Sequence, residues 1–345
     1  MAKIAFYIDT IENRDFAIDA VELISAPFET AEIYCLNFVP GILGPIAKRR
    51  VISSAKGLIE SDLFKKIPLL TGSLKLPKDF RSVVTLSQGY LPVSDQTHLY
   101  YFYSPYWESE NYREFYKNQS WFLKKWLDFH QKKVILSLQK NQSRLLIANK
   151  KIAKEYQLEK AEILYPFFKS EDFPRVELGI QKQAVTILLQ GSSFQDKLDL
   201  LKLLKNFEGE NNFFIFGSEQ DQSAFASIPK VRFESQYCSA TLQAAFLQSH
   251  FFFQFSHNEE LPLALGALAS GAYVAHRASA LLSEVIPQGL LLSCHGLEDI
   301  FSMLAQWNHL SHKLDLGEAR RFALRFSERS FKDKILSFLN SRSSK

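Results

Sequence analysis

The sequence predicts an α/β fold divided into two domains, and three observations predict it. Strand-like apolar runs alternate with helical patterns along the whole chain. The alternation restarts after a charged, proline-bearing passage from Tyr165-Pro166 to Pro174. The 345 residues, 46% of them apolar, exceed what one core serves and suffice for two. Strand candidates in the first half are Ile4–Ile8, Thr30–Cys35, Val83–Leu86, His98–Tyr103, Val134–Leu138 and Leu145–Ala148. The second series is Val185–Leu189, Phe213–Phe216, Val231–Phe233, Phe251–Phe255, Tyr273–Ala275 and Leu290–Ser293. Residues 166–182 read as a linker between domains spanning 1–165 and 183–318.

The most informative segment runs from Phe252 to Ala275. Phe251–Phe255 is a short buried strand, Ser256–Glu260 a polar turn, and Leu261–Ser270 a Leu- and Ala-rich helix that Gly271 ends. A parallel sheet binds ligands beyond the carboxyl ends of its strands, and the N–H groups that open the following helix favour phosphate. Glu259 is thereby expected where a ligand sits.

Ser256, Glu259, Pro262, Leu263, Ala267, Ala269, Gly271 and Val274 fall into a frame that resembles the donor-site motif of family-4-like glycosyltransferases of GT-B fold. One residue is missing from that frame, the family's second glutamate is Gly266, and Tyr273 stands where proline is usual. Further matches are in keeping with mannosyltransferase-like members: His98, Tyr101 and Pro105; Leu146-Ile-Ala-Asn149 with Ala153 and Tyr156; Ala161-Glu-Ile-Leu-Tyr-Pro166; and Ala323, Phe326, Ser327 and Phe331 near the end. Their shared order over almost the whole chain implies two Rossmann-like domains facing a cleft. The N-terminal domain would take the acceptor, the C-terminal one the nucleotide sugar, and a C-terminal helix over 319–345 would cross back to the N-terminal domain.

The resemblance also implies a site. Gly191 and Lys197 match a glycine–lysine phosphate segment in which Ser192 replaces arginine; Lys197 is either a phosphate contact or an exposed lysine at the start of a helix over Asp196–Lys205. Gly217 would let backbone approach the nucleotide or simply make a turn, and Gln236 or Tyr237 would meet the base. The N–H groups of Leu261 and Leu263 would face phosphate, whereas Pro262 has none. Glu259 would bind donor-sugar hydroxyls, or act with Glu260 as a helix-start carboxylate. At Gly266 a ribose-gripping glutamate is absent, which implies close packing or a changed ligand. In the first domain a glycine-free loop, Asp9 to Arg14, replaces a Gly-Gly turn, with Asp9 a candidate for orienting acceptor. Tyr103 replaces a sugar-contacting histidine. His98, His250 and His257 lack metal spacing and read as surface or satisfied core residues.

The net charge of +4 is unevenly distributed. Lys124, Lys125, Lys132, Lys133, Lys140, Arg144, Lys150 and Lys151 stand against one acid, Asp128, and a second cluster, Lys48-Arg49-Arg50 with Lys56, Lys65 and Lys66, adjoins apolar Phe38–Ile46. Such runs are either solvated helix faces or surfaces for anionic lipid or an acidic acceptor. Cys35, Cys238 and Cys294 lack metal-ligand spacing and suggest reduced cytoplasmic thiols. No signal peptide or spanning segment is apparent.

The expectation is therefore a cytoplasmic enzyme, peripheral at the inner face of the membrane. It would be a retaining glycosyltransferase moving a hexose from a UDP- or GDP-sugar to a saccharide or lipid-linked acceptor, with no metal or other cofactor required and no nucleic-acid partner. The four altered positions, Tyr103, Ser192, Gly266 and the first loop, leave a second expectation: a catalytically inactive relative that binds a glycan, partner or membrane.

Overall fold

The computed structural model describes residues 4–11, 16–38, 49–53, 80–173, 182, 184–189, 192–235, 239–254, 261–276, 280–294, 297–305 and 315–343. The chain divides into two compact units, one of residues 1–166 and 331–345 and one of residues 167–330.

In the first unit, β1 (Ile4–Ile11), α1 (Phe16–Ser25), β2 (Ala31–Phe38), β3 (Arg50–Ser53), β4 (Ser82–Ser87), β5 (Leu99–Phe102), α2 (Glu110–Lys117), α3 (Trp121–Lys140), β6 (Leu145–Ile147), α4 (Lys150–Glu155) and β7 (Glu162–Ile163) follow in order. The described strands form one sheet in the order β3-β2-β1-β4-β5-β6-β7, with every neighbouring pair parallel. The order reverses between β1 and β4. Strands buried on both faces read as continuous apolar runs, as Leu99 to Phe102 does.

The sequence reading placed a strand at Val134–Leu138, and the structure corrects it: these residues lie inside α3. A five-residue apolar run is ambiguous, but Leu127, Val134 and Leu138 are buried while Leu136 is 65% exposed, and that spacing is helical. The short edge strands β3 and β7 were not anticipated. Arg49 and Arg50 belong to the β3 edge, where Arg49 donates to the Ser25 and Glu29 carbonyls and Arg50 pairs with Glu32 at 3.4 Å. Lys48, Lys56, Lys65, Lys66 and most of Phe38–Ile46 lie outside the described residues.

An aromatic cluster fixes the far side of this sheet. Trp107 donates its indole N–H to the Tyr156 hydroxyl at 2.8 Å, and that hydroxyl donates to Glu108 at 2.5 Å. Tyr106 stacks on Tyr90 with centroids 4.1 Å apart. His98, as expected, is a satisfied structural residue: its Nδ1 accepts the Val83 N–H at 3.1 Å.

The second unit contains β8 (Ala184–Leu188), α5 (Phe194–Lys205), β9 (Asn212–Phe216), α6 (Glu219–Phe225), β10 (Val231–Glu234), α7 (Ser239–Gln248), β11 (Ser249–Gln254), α8 (Leu261–Ala269), β12 (Tyr273–His276), α9 (Ala280–Val285), β13 (Leu291–Ser293), α10 (Leu297–Ala305) and α11 (Leu316–Leu324). Its described strands pair in parallel in the order β10-β9-β8-β11-β12-β13, reversing between β8 and β11. Phe251, Phe252 and Phe253 are fully buried in central β11, and the Thr186 and Ser249 hydroxyls satisfy each other across β8 and β11 at 2.8 Å.

The closing region is two helices where one was expected over 319–345. Arg320 of α11 donates to the Phe173 and Ala269 carbonyls at 3.0 and 2.9 Å, holding α11 in the second unit. In α12 (Glu328–Ser343), Glu328 accepts from the Ser170 N–H and hydroxyl, both at 2.9 Å. From Phe331 onward the helix belongs to the first unit, where Phe331 meets Phe16 and Tyr101 at 5.7 and 5.6 Å. Residues 167–173, expected as linker, thus pack within the second unit.

Gly89, just past β4, has φ +100°, and a Cβ there would lie 2.5 Å from the Trp107 ring. Gly89→Ala is expected to destabilise the protein by about 1–3 kcal/mol, because left-handed strain and overpacking act together. Urea denaturation checks this.

Burial, reinforced by Lys133, lowers the His130 pKa to about 4, and burial with Lys182 does the same for His250. Unfolding restores an ordinary value near 6.5, so below it the unfolded chain binds more protons. Stability contributed by these neutral imidazoles is present above about pH 6.5 and lost as pH falls towards 4. His130→Gln is expected to flatten that acid limb, as read from urea midpoints between pH 4 and 7.

Candidate functional site

In open parallel sheets ligands bind beyond the carboxyl ends of the strands at a reversal of strand order, and in the second unit that reversal lies between β8 and β11. Within the second unit, Ser192 and Ser193 follow β8, Gly217 and Ser218 follow β9, and α8 starts just beyond β11. Of the anticipated residues, Ser192, Lys197, Gly217, Leu261 and Leu263 lie on the segments that follow these strands. Gly191, Gln236, Tyr237 and Glu259 lie outside the described residues, as does His257.

Lys197, one turn into α5, projects its ammonium between both carboxylate oxygens of Asp221, at 2.9 and 2.8 Å. Asp221 is in the first turn of α6 and also accepts from the Ser218 N–H at 3.2 Å and its hydroxyl at 2.7 Å. Burial alone would raise this carboxyl, but the donors from Lys197 and Ser218 outweigh it and hold it below the usual carboxylate range. Two of the three ammonium donors can serve Asp221, which leaves one for a ligand oxygen. Asp221 was not singled out in the sequence; the Ser218-x-x-Asp221 spacing of a capping box was its available signal. Ser193 and Asp196 repeat that device at the start of α5.

The Ser192 hydroxyl donates to the Leu189 carbonyl at 2.6 Å, so it closes the turn after β8. Gly217 lies under the Phe233 ring: a Cβ there would sit 3.0 Å from the ring and 3.4 Å from an Asp221 oxygen. Leu261 and Leu263 bury their side chains, so their backbone groups are what α8 offers at its start. First-turn N–H groups have no acceptor inside their own helix and carry the positive end of its dipole. The opposite end of α8 is closed by Gly271, at φ +72°, and by Lys182, which donates to the Ser270 and Gly271 carbonyls at 2.8 and 2.7 Å.

Gly266 is a packing position. A Cβ there would lie 2.6 to 2.8 Å from three atoms of the Phe173 ring, which occupies the space above the helix. In the first unit, Tyr103 is half-buried after β5 and stacks on Tyr101 at 5.9 Å and against Phe16 at 5.6 Å. Tyr101 itself is buried and donates to the Leu164 carbonyl at 2.9 Å. Asp9 is also buried: it accepts from the Ser87 hydroxyl at 2.8 and 3.0 Å and from the Gln88 N–H, across the β1/β4 reversal. The depression lined by Phe207, Gly209 and Phe301 is at the start of β9, the opposite end from these groups.

Gly266→Ala sets overpacking of roughly 1–3 kcal/mol against a helix-propensity gain of roughly 0.5–1 kcal/mol, so net destabilisation is expected. In a Phe173→Leu background the same change should cost less. A double-mutant cycle in urea reads the difference.

No protein-family model matches the chain, and no curated protein sequence matches it. Solved structures do. Anabaena HepE in complex with UDP-glucose is 12% identical with a TM-score of 0.64, the match covering 99% of this chain and 100% of that one. Sucrose-phosphate synthase from Thermosynechococcus elongatus is 13% identical with a TM-score of 0.63, covering 99% of each chain. The lipopolysaccharide outer core galactosyltransferase WaaB is 11% identical with a TM-score of 0.60, covering 98% of this chain and 99% of that one. At these identities the likeness is one of fold: the two parallel α/β units have the GT-B architecture of glycosyltransferases.

Proposed function

We propose that this chain is a retaining glycosyltransferase that moves a hexose from a nucleoside-diphosphate sugar to a saccharide or lipid-linked acceptor, in cell-envelope polysaccharide synthesis. The observation that carries the reading is the Lys197–Asp221 pair, which joins the helices that follow neighbouring strands β8 and β9 in a GT-B fold. HepE has been crystallised with UDP-glucose, with UDP and glucose, and with UDP, which supports a uridine nucleotide as the first donor to test, with GDP-sugars second.

In this reading the diphosphate accepts from the remaining Lys197 donor and from the N–H groups of Leu261 and Leu263, while Gly191 and Gly217 allow close backbone approach. Gln236 and Tyr237 meet the base. These donors offset charge that grows on the leaving phosphate, so that no metal cofactor is required. Glu259 and Tyr103 hydrogen-bond sugar hydroxyls. The acceptor oxygen bonds to the anomeric carbon on the face the phosphate leaves, the carbon–oxygen bond to phosphate breaks, and the acceptor proton passes to the departing phosphate. The reaction would take place in the cytoplasm, at the inner face of a membrane.

A second reading, an inactive relative that binds a glycan, partner or membrane, is favoured by Phe173 over Gly266 and by the Ser192 hydroxyl turned to Leu189. Calorimetry against UDP, GDP and their sugars, beside a transfer assay, separates the two. Lys197→Ala is expected to weaken diphosphate binding about 10- to 150-fold, the effect of losing a charge-assisted bond of roughly 1.5–3 kcal/mol. Glu259→Ala should lower transfer and leave bare-nucleotide affinity unchanged. Absence of nucleotide binding by the unaltered protein would sink the transferase reading.

A further inference from the structure

We infer that the outward face of α3 is a docking surface for anionic lipid, with Phe122, Phe129 and Leu136 as its apolar ridge and lysines on both flanks. Residues seven apart lie two turns apart on one side of a helix, drifting by about 20° per heptad. These three are 74%, 68% and 65% exposed, and Trp121 at the helix start is 68% exposed. The opposite side is anchored by buried Leu127, Val134 and Leu138. Helical spacing sets Lys125 and Lys132 along one flank of the ridge and Lys133 and Lys140 along the other. Lys125 rests over the Trp121 ring at 4.1 Å. Asp128, the one acid of α3, accepts from the Tyr116 hydroxyl at 2.9 and 3.1 Å and takes no part in the ridge.

Water-exposed Phe, Trp and Leu in a row on a well-anchored helix form an apolar patch that calls for a partner. Charge selects the partner. A second copy docking on the same face by two-fold symmetry would set lysine against lysine. An anionic bilayer instead receives the apolar ridge below its headgroups and draws the flanking lysines to its surface, with tryptophan at the boundary. Among the described residues no helix is long and apolar enough to cross a membrane, so α3, about 30 Å long, would lie on the surface. The inference deepens the lipid-linked acceptor reading, and its purpose rests on that reading. Vesicle attachment and nucleotide binding are separate measurements, so the two can fail separately.

The test is co-sedimentation of the full chain with vesicles of phosphatidylcholine alone and of phosphatidylcholine with phosphatidylglycerol. Binding to the anionic vesicles, weakening with salt, is expected, with a blue shift of tryptophan emission that Trp121→Phe diminishes. Two double variants, Phe122→Ser with Phe129→Ser and Lys125→Glu with Lys132→Glu, should each lower partition about tenfold or more. The altered side chains are exposed, so circular dichroism and urea midpoints should be unchanged. Equal partition onto neutral and anionic vesicles, or no effect of either variant, overturns the inference. So does concentration-dependent dimerisation that the phenylalanine variant abolishes without vesicle binding, which would assign the face to a second copy.

Discussion

A parallel sheet covered on both faces has no place for polar chemistry except the ends of its strands, and both units are built under that constraint. Each described sheet reverses its strand order once, and in each unit a carboxylate near the ends of the strands is held by donors from neighbouring segments. In the first unit Asp9 takes the Ser87 hydroxyl and the Gln88 N–H. The same Ser87 oxygen accepts the Gly89 N–H at 2.9 Å, so one buried carboxylate organises the turn that leads towards Trp107. A buried charge persists only when its hydrogen bonds replace those of water, and here they do. Asp9, inside β1, is thus held in a hydrogen-bonded role that its place in the sequence does not reveal.

The second unit resolves the same constraint with a pair of opposite charges. Lys197 and Asp221 have side chains 24% and 13% exposed, dry enough for strong attraction and open enough for a ligand to reach the ammonium. Asp221 serves three groups at once: it opens its own helix, fixes Ser218 and aims Lys197. That economy gives the lysine a defined position, the preorganisation that the proposed role at a diphosphate calls for.

Phe173 links the C-terminal region to this unit. Its ring covers Gly266, and its carbonyl shares Arg320 with the end of α8. Helix α8 is therefore clamped at its C-terminal end by a guanidinium and by Lys182. A glutamate at position 266 would have to displace the ring. Glycine at position 266 and the Phe173 ring above it are two sides of one packing solution.

The sequence by itself determined the alternation of strands and helices, the restart after Pro166, strand β11, helix α8 and its Gly271 stop, because apolar period and glycine chemistry are local properties. It also marked Lys197, whose place one turn into a helix follows from chain order. Tertiary structure decided the rest. Val134–Leu138 became helix because Leu127, seven residues earlier, shares its buried side. Lys197 acquired its partner because β8 and β9 are neighbours, which brings together residues 24 positions apart. Gly266 was filled by Phe173, 93 residues before it in the chain (266 − 173). A one-dimensional pattern carries hydrophobic period and backbone permission; which charge meets which, and what fills the space over a glycine, depend on contacts that exist only once the sheets have formed.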